Sequence, residues 1–475
     1  MSNAELILHN LPCSAEMPAG TGKTETIGEM VKLVADQGKR SLVLTHTHAG
    51  VDVLRRRMKK FGVPKSAVTI RTLDSWCFDL IGSFPDLSAI TVDEEPDWTR
   101  SQEYHQAGRR AALSEPIIRM LEASYDLLVV DEYQDCQVWQ HELVRAVAES
   151  VPTCVLGDRM QGLFFFSSLQ PVIWETDVEP AFVPLELEVH PWRWANTNPE
   201  LGAWLLEARA NLMAGIGIDV TSAPIAVEPP SRIAEVLLAL PPHPASTVAI
   251  SQFPSNAAVL AARLGGAYTM IEELEGKHLR AFAEVIDGGD LNSIASASVR
   301  YAVDCAFGVA SSIDVALRNA LRAGIVIDRA RVAPEVRDAV AHINALLVSA
   351  NVSTIRDCLI AISRIPAFRL FRREAWFGML DALRLCEATE DLTAMAAVIS
   401  VRNKLRLTGR RPESRIVGRA LLVKGLEFEH AVVDAPGPHK PYNAHELYVC
   451  LTRGSMSVTL MTEATFLNPA RPTRA

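Results

Sequence analysis

A chain of 475 residues, 49% hydrophobic and 22% charged, has material for two to four domains with sizeable cores. Its net charge of −9 excludes a protein coated in basic surface, so any nucleic-acid contact must be a local groove. The eight cysteines form no CxxC pair, which argues against a zinc ribbon or an iron–sulfur cluster. With no leader-like N-terminus and no apolar run of spanning length, a reduced, cytoplasmic protein with no membrane contact is expected.

In chain order, residues 1–205 alternate short apolar strands with amphipathic helices. Ser41–Thr45, Leu127–Asp131 and Thr153–Gly157 read as buried parallel strands, and Gly50–Phe61 as a helix between them. A short helical insertion is expected at about 85–122. The Pro-rich stretch 222–246 reads as a domain boundary, and the second domain is expected to take up the chain from 206. Thr247–Gln252 is its first clear strand. Residues 275–408 lose strand signals and read as inserted helices, Val336–Ser349 among them. Strands return at Arg415–Val423, Ala431–Asp434 and Ser457–Thr462, closing the second domain over 409–475. The fold class is therefore α/β with mostly parallel sheets.

Two segments carry chemistry. Ala19-Gly20-Thr21-Gly22-Lys23-Thr24 follows a strand and opens a helix, the setting of a P-loop. Its glycines let backbone N–H groups turn toward phosphate oxygens, Lys23 reaches the terminal phosphates, and the Thr24 hydroxyl holds Mg²⁺. Met17 stands where the strict pattern has its first glycine. Downstream, Leu127–Asp135 is an apolar strand ending in carboxylates. There Asp131 is the expected Mg²⁺ ligand and Glu132 the base that polarises water. ATP and Mg²⁺ are the expected cofactors.

Asp131-Glu132-Tyr133-Gln134-Asp135 resembles the DExQD box of UvrD/Rep-like superfamily 1 DNA helicases, and further segments follow in that family's order. Leu44–Gly50 resembles motif Ia, and Arg71–Trp76 resembles motif Ib. The resemblance implies strand contacts at Thr45, Thr47, His48, Thr72 and Ser75. Gly157-Asp158 with Gln161 resembles motif III, which implies a γ-phosphate sensor at Gln161 and a base-stacking aromatic at Phe166. Pro191–Trp194 resembles motif IV, with Arg193 a γ-phosphate contact. Val423–Phe428 resembles motif V, with Glu427 near the nucleotide. Leu447–Arg453 resembles motif VI, with Arg453 the arginine finger.

The resemblance implies two RecA-like P-loop NTPase domains with a helical insertion in the second. Lys23 and Glu132 would then form one wall of the site, with Arg193 and Arg453 brought from elsewhere on closure. It implies a 3′-to-5′ translocase or helicase acting on single-stranded DNA or on duplex with a single-stranded end. The compact length also resembles the helicase-like subunit of the Gabija antiphage system, implying an OLD-family nuclease partner. The alternative is a nucleotide-sensing or assembly subunit with little unwinding of its own. A P-loop kinase or GTPase explains neither KGLEF nor LYVCLTR.

This chain departs from the family in several places: no glutamine precedes the P-loop, Ser167 replaces an arginine, and Arg419 and Leu421 stand where motif V has Thr and His. Four further features admit more than one reading. His46 and His48 have metal-like spacing but no acidic or thiol partner nearby in sequence. Trp192 and Trp194 could stack on a base or fill a core. Arg55–Arg57 with Lys59 and Lys60 reads equally as a phosphate strip or a solvated helix face. Phe164–Phe166 reads equally as core or as a stacking platform.

Overall fold

Apolar runs without alternation need both sheet faces covered. That is where they lie in the computed structural model, which describes residues 1–93, 96–163, 169–241, 245–271, 276–408, 413–435 and 441–469. Six strands come first: β1 (Cys13–Glu16), β2 (Ser41–Thr45), β3 (Val68–Thr72), β4 (Leu127–Val130), β5 (Thr153–Gly157) and β6 (Val183–Leu185). They stand in the order β3-β2-β4-β5-β1-β6, all pairs parallel. All four side chains of β4 are fully buried, each contributing about 1.5–3 kcal/mol of transfer free energy.

In this order β5 separates the P-loop strand β1 from the carboxylate strand β4. The C-terminal ends of β1, β4 and β5 therefore lie side by side, the place where α/β sheets bind ligands. Helices α1 (Lys23–Asp36), α2 (His48–Lys60), α3 (Leu73–Ser83), α4 (Ser101–Ala112) and α5 (Val138–Ala148) connect the strands. Two cores result: Ile27, Met30 and Val31 help form one, and Tyr104, Leu143 and Phe182 the other.

The second sheet is also six-stranded. It comprises β7 (Ala226–Glu228), β8 (Thr247–Ile250), β9 (Thr269–Met270), β10 (Arg415–Gly418), β11 (Phe428–Asp434) and β12 (Gly454–Met461), in the order β9-β10-β8-β11-β12-β7. The pairs β9–β10, β10–β8, β8–β11 and β12–β7 are parallel. Between β9 and β10 the chain leaves the sheet for a helical block with its own core, in which Leu279, Ile343, Leu359 and Leu383 are all fully buried. The fold is thus two RecA-like α/β units with helices inserted in the second. Among the described residues, no helix is long and apolar enough to cross a membrane.

The units divide differently from the expected plan. The first holds Met1–Ile225, Gly437–Ser457 and Ala464–Ala475, and the second Ala226–Pro436 and Val458–Glu463. The boundary expected at 205 falls after Ile225. Helix α6 (Pro199–Met213) stays with the first unit through Arg209, and Ile218–Asp219 pairs antiparallel with Phe466–Leu467. Helix α7 (Ala444–Leu451), expected in the second domain, also belongs to the first unit, because it packs on α6 and on the turn Arg159–Gln161. The run Arg415–Val423 is not one strand. It pairs only to Gly418 and then turns into a short helix, Ala420–Val423.

Candidate nucleotide site

The loop after β1 needs backbone that ordinary residues resist. Gly20 has φ 71° and Gly22 φ 96°, in the left-handed region open chiefly to glycine. Space demands glycine too: a Cβ on Gly20 would lie 2.5 Å from Trp194 Cζ3 and 2.9 Å from Arg193 Cβ. Gly22 is the N-cap of α1 and supplies no side-chain cap, so no side chain caps the first N–H groups of this helix. Such an end suits an oxyanion. Ala19 N–H faces inward instead, donating to Asp158 Oδ2 (3.1 Å) and Tyr448 Oη (3.0 Å).

Lys23 points at the end of β4. Its Nζ lies 3.0 Å from Asp131 Oδ1 and 2.5 Å from Glu132 Oε1. Burial alone would lower the Lys23 pKa. The charges of Asp131 and Glu132 and the hydrogen bonds to both outweigh that, and raise it above the ordinary lysine value. Burial raises the Asp131 carboxyl, Lys23 opposes the rise and Glu132 adds to it. Lys23 is therefore an ammonium shared between two carboxylates. The surplus negative charge and the neighbouring Thr24 hydroxyl make a donor set suited to a hard divalent cation such as Mg²⁺. Asp131 and Thr24 would hold it, and a cation and phosphate arriving together would free Lys23 from the carboxylates.

Glu132 has φ 57°, a left-handed backbone that costs a non-glycine residue of order 1 kcal/mol or more. The neighbours hold it there. Gln134 Nε2 donates to Glu132 Oε2 (2.5 Å), while Gln134 Oε1 accepts the Asp158 N–H (3.0 Å). Gln134 thus ties the end of β4 to the end of β5.

Asp158 is fully buried and organises the other side of the loop. Besides Ala19 N–H, it accepts from Gln161 Nε2 (3.0 Å) and from Arg209 Nε (3.1 Å) and Nη2 (2.9 Å). Arg209 also pairs with Glu16, which in turn takes Arg159 Nε at 2.9 Å. Burial would lower the Arg209 pKa, but Asp158 and Glu16 raise it instead. Burial lifts the Tyr448 phenol well above its usual value, so it remains a neutral hydroxyl beside the loop.

The expectation that Arg193 and Arg453 come from elsewhere is overturned, because the structure groups both with the P-loop in the first unit. Arg193 N–H donates to Gly20 O (3.1 Å), and its Nη1 donates to Thr452 O (2.8 Å). Arg453 is 1% exposed. Its Nε donates to Val449 O (2.8 Å), and its Nη2 to Thr452 Oγ1 (2.8 Å) and Gln161 Oε1 (3.3 Å). The tryptophans divide the two roles weighed for them. Trp194 is core, donating its Nε1–H to Gly454 O (2.7 Å). Trp192 is 63% exposed, and its Cδ1 would meet a Cβ on Gly22 at 3.2 Å. Glu427 belongs to the second unit, exposed just ahead of β11.

The expected strand contacts are unevenly placed. Thr45 is buried at the end of β2, with its hydroxyl under Gly50. Thr72 is buried and caps α3 by accepting the Ser75 N–H at 3.1 Å, and it donates to Ser75 Oγ at 2.7 Å. Those two threonines are engaged within the fold. Thr47 is exposed and caps α2, with His48 following it. Phe166 lies outside the described residues. His46 and His48 do not share a strand face: His46 Nε2 sits 3.4 Å from Cys136 Sγ, while His48 opens α2. No metal-ligating cluster of three or more His, Cys, Asp or Glu occurs among the described residues.

Glu16 and Arg209 lie outside every motif. Neither carries a local signal, since they meet Asp158 only through the fold. Asp74 makes a further side-chain contact. It faces His105 Nε2 at 3.1 Å and accepts from Gln140 Nε2 at 2.8 Å, joining α3 to α4 and α5. Burial would raise the Asp74 pKa, but its hydrogen bond with His105 leads the contacts that hold it below the usual value.

Residues 6–167 match a family model described as an AAA domain, about a third of the chain. No curated protein matches in sequence. Among solved structures the chain is similar to the Pif1 helicase from Candida albicans, at 14% identity and a TM-score of 0.32. That match covers 57% of this chain and 55% of that one. The chain thus spans little more than half of that helicase, and the likeness is too slight to bear on function.

Proposed function

We propose that the chain is an ATP hydrolase that uses turnover to move along DNA, a translocase or helicase of superfamily 1A type. The observation that carries this is the Lys23–Asp131–Glu132 cluster facing the uncapped N-terminus of α1, with Gln161, Arg193 and Arg453 around the same loop. On this reading the loop N–H groups and Lys23 bind the terminal phosphates. Asp131 and Thr24 hold Mg²⁺, which supplies charge neutralisation when bound. Glu132 then orients water and accepts its proton. The arginines meet charge developing on the phosphoryl oxygens. Trp192 offers an exposed face for the adenine ring. The DNA part of the reading, its 3′-to-5′ direction and a place in antiphage defence beside a nuclease rest on the ordered motif resemblance alone.

The test is steady-state ATP hydrolysis by the purified chain with and without single-stranded DNA, using Lys23→Ala and Glu132→Gln as controls. Stimulation by DNA, lost in both variants, is expected. Lys23→Ala turnover equal to wild type would sink the nucleotide site. Turnover indifferent to DNA would favour a nucleotide-sensing subunit.

A further inference from the structure

The helical block of the second unit carries none of the motifs, yet three of its arginines border one hollow. Two of its helices, α8 (Leu291–Cys305) and α9′ (Val315–Arg322), pack against each other. Between them lies a cavity of about 40 Å³. One wall is Ser296, Val299, Arg300 and Val303, which fall on one face of the first helix at helical spacing. The other is Arg318, Leu321 and Arg322, with the two arginines one turn apart. Val299 and Leu321 are buried and form an apolar floor. Arg300 and Arg322 stand exposed at the rim and Arg318 is half-buried.

These arginines lack the carboxylate partners that some arginines elsewhere in the chain have. Arg209 and Arg402, for example, are paired with carboxylates. Among the described residues, no carboxylate comes within ion-pair distance of Arg300, Arg318 or Arg322. Arg318 donates to Asp314 O at 3.3 Å and Arg322 to Asn319 Oδ1 at 3.2 Å, both neutral acceptors. The Ser296 hydroxyl is likewise without a protein partner among the described residues. Three arginines border one small hollow, a local cluster of like charge in a chain whose net charge is −9. Their planar donor forks match phosphate geometry. The hollow is too small for a nucleobase but has room for an oxyanion of a few heavy atoms.

We infer that Arg300, Arg318, Arg322 and Ser296 form a binding site for a phosphate group, separate from the P-loop. The arginines supply charge-assisted donors, Ser296 a neutral donor, and Val299 and Leu321 a dry floor. The phosphate is either part of a nucleic-acid strand or carried by a small molecule. The inference does not depend on the proposed motor activity.

The experiment compares the full chain with the triple variant Arg300→Gln/Arg318→Gln/Arg322→Gln. Thermal unfolding is followed as inorganic phosphate replaces chloride at constant ionic strength. Phosphate should raise the wild-type Tm by more than that of the variant, because only the wild type has the second site. Should the triple variant fold poorly, Arg322→Gln alone is read the same way, with an apparent Kd for phosphate higher by about tenfold. Anisotropy with a single-stranded oligonucleotide, run at several salt concentrations, identifies the source. A strand ligand gives a variant with weaker binding and a salt slope shallower by about 0.7 per lost contact. Unchanged DNA binding with a lost phosphate response assigns a small phosphorylated ligand. A variant that matches wild type in both measurements overturns the site.

Discussion

The loop after β1 and the hollow in the helical block are both basic, and they handle their charge in opposite ways. At the loop two buried cations are matched by carboxylates. Lys23 lies between Asp131 and Glu132, and Arg209 between Asp158 and Glu16. Around the hollow, Arg300, Arg318 and Arg322 have no carboxylate within ion-pair distance among the described residues. A matched cation is already stabilised and must be released to act, so a ligand there has to compete. An unmatched cluster is destabilised until something anionic arrives. The loop thus has the character of a switch between two partners, and the hollow that of a receptor.

The strongest challenge to this contrast is Arg453→Ala. If Arg453 serves the reaction and does not merely brace α7, kcat for ATP should fall by about 10³ with KM little changed. A loss confined to thermal stability would make Arg453 a structural cation that braces α7 and takes no part in the reaction. A smaller effect tests how the site opens outward. Trp192→Ala should raise KM for ATP by about tenfold, at near-constant kcat and unchanged Tm, because the ring is exposed and supports no core. A fall in Tm instead would show that Trp192 holds Gly22 in place.

The smallest effect concerns acid. His141 accepts or donates at Tyr133 Oη over 2.8 Å on the far side of the DEYQD turn. Burial lowers its pKa below the ordinary 6.5, Arg145 adds to the fall, and Glu142 and Asp177 oppose it. The folded chain therefore binds this proton less readily than the unfolded chain. Stability should rise with pH from the depressed value up to about 6.5 and be flat above. Melting curves across pH 5 to 7.5 should show this slope in wild type and a shallower one in His141→Gln. An equal slope in both would place the acid sensitivity elsewhere.

What could be read from the sequence follows from how local each signal is. Ser41–Thr45 and Thr153–Gly157 form as strands over the expected residues, because three consecutive apolar positions without alternation suit a strand covered on both faces. Lys23, Asp131 and Glu132 were legible because each sits at a fixed offset from a strand end. Arg209 and Glu16 were not, since their only meaning is a shared contact with Asp158. The grouping of Arg453 with the P-loop was also hidden, because it depends on where α7 packs and not on what α7 contains. The hollow in the helical block had no chance of being read: Arg300 and Arg322 look like ordinary solvated helix charges until the two helices are set side by side.

The hydrogen bond from Ala19 to Tyr448 has a consequence in time as well as in space. The first unit is interrupted after Ile225 and resumes only at Gly437. During synthesis the P-loop and the DEYQD strand emerge early, but Tyr448, Thr452 and Arg453 emerge only after Ala226–Pro436 of the second unit. At ribosomal rates that interval is roughly 10–40 s. Throughout it Ala19 has only Asp158, and Gln161 waits for its arginine. The nascent chain can therefore have a sheet and a phosphate loop well before it has a complete nucleotide site. Truncated or stalled chains would keep Lys23 and Glu132 yet lack Arg453.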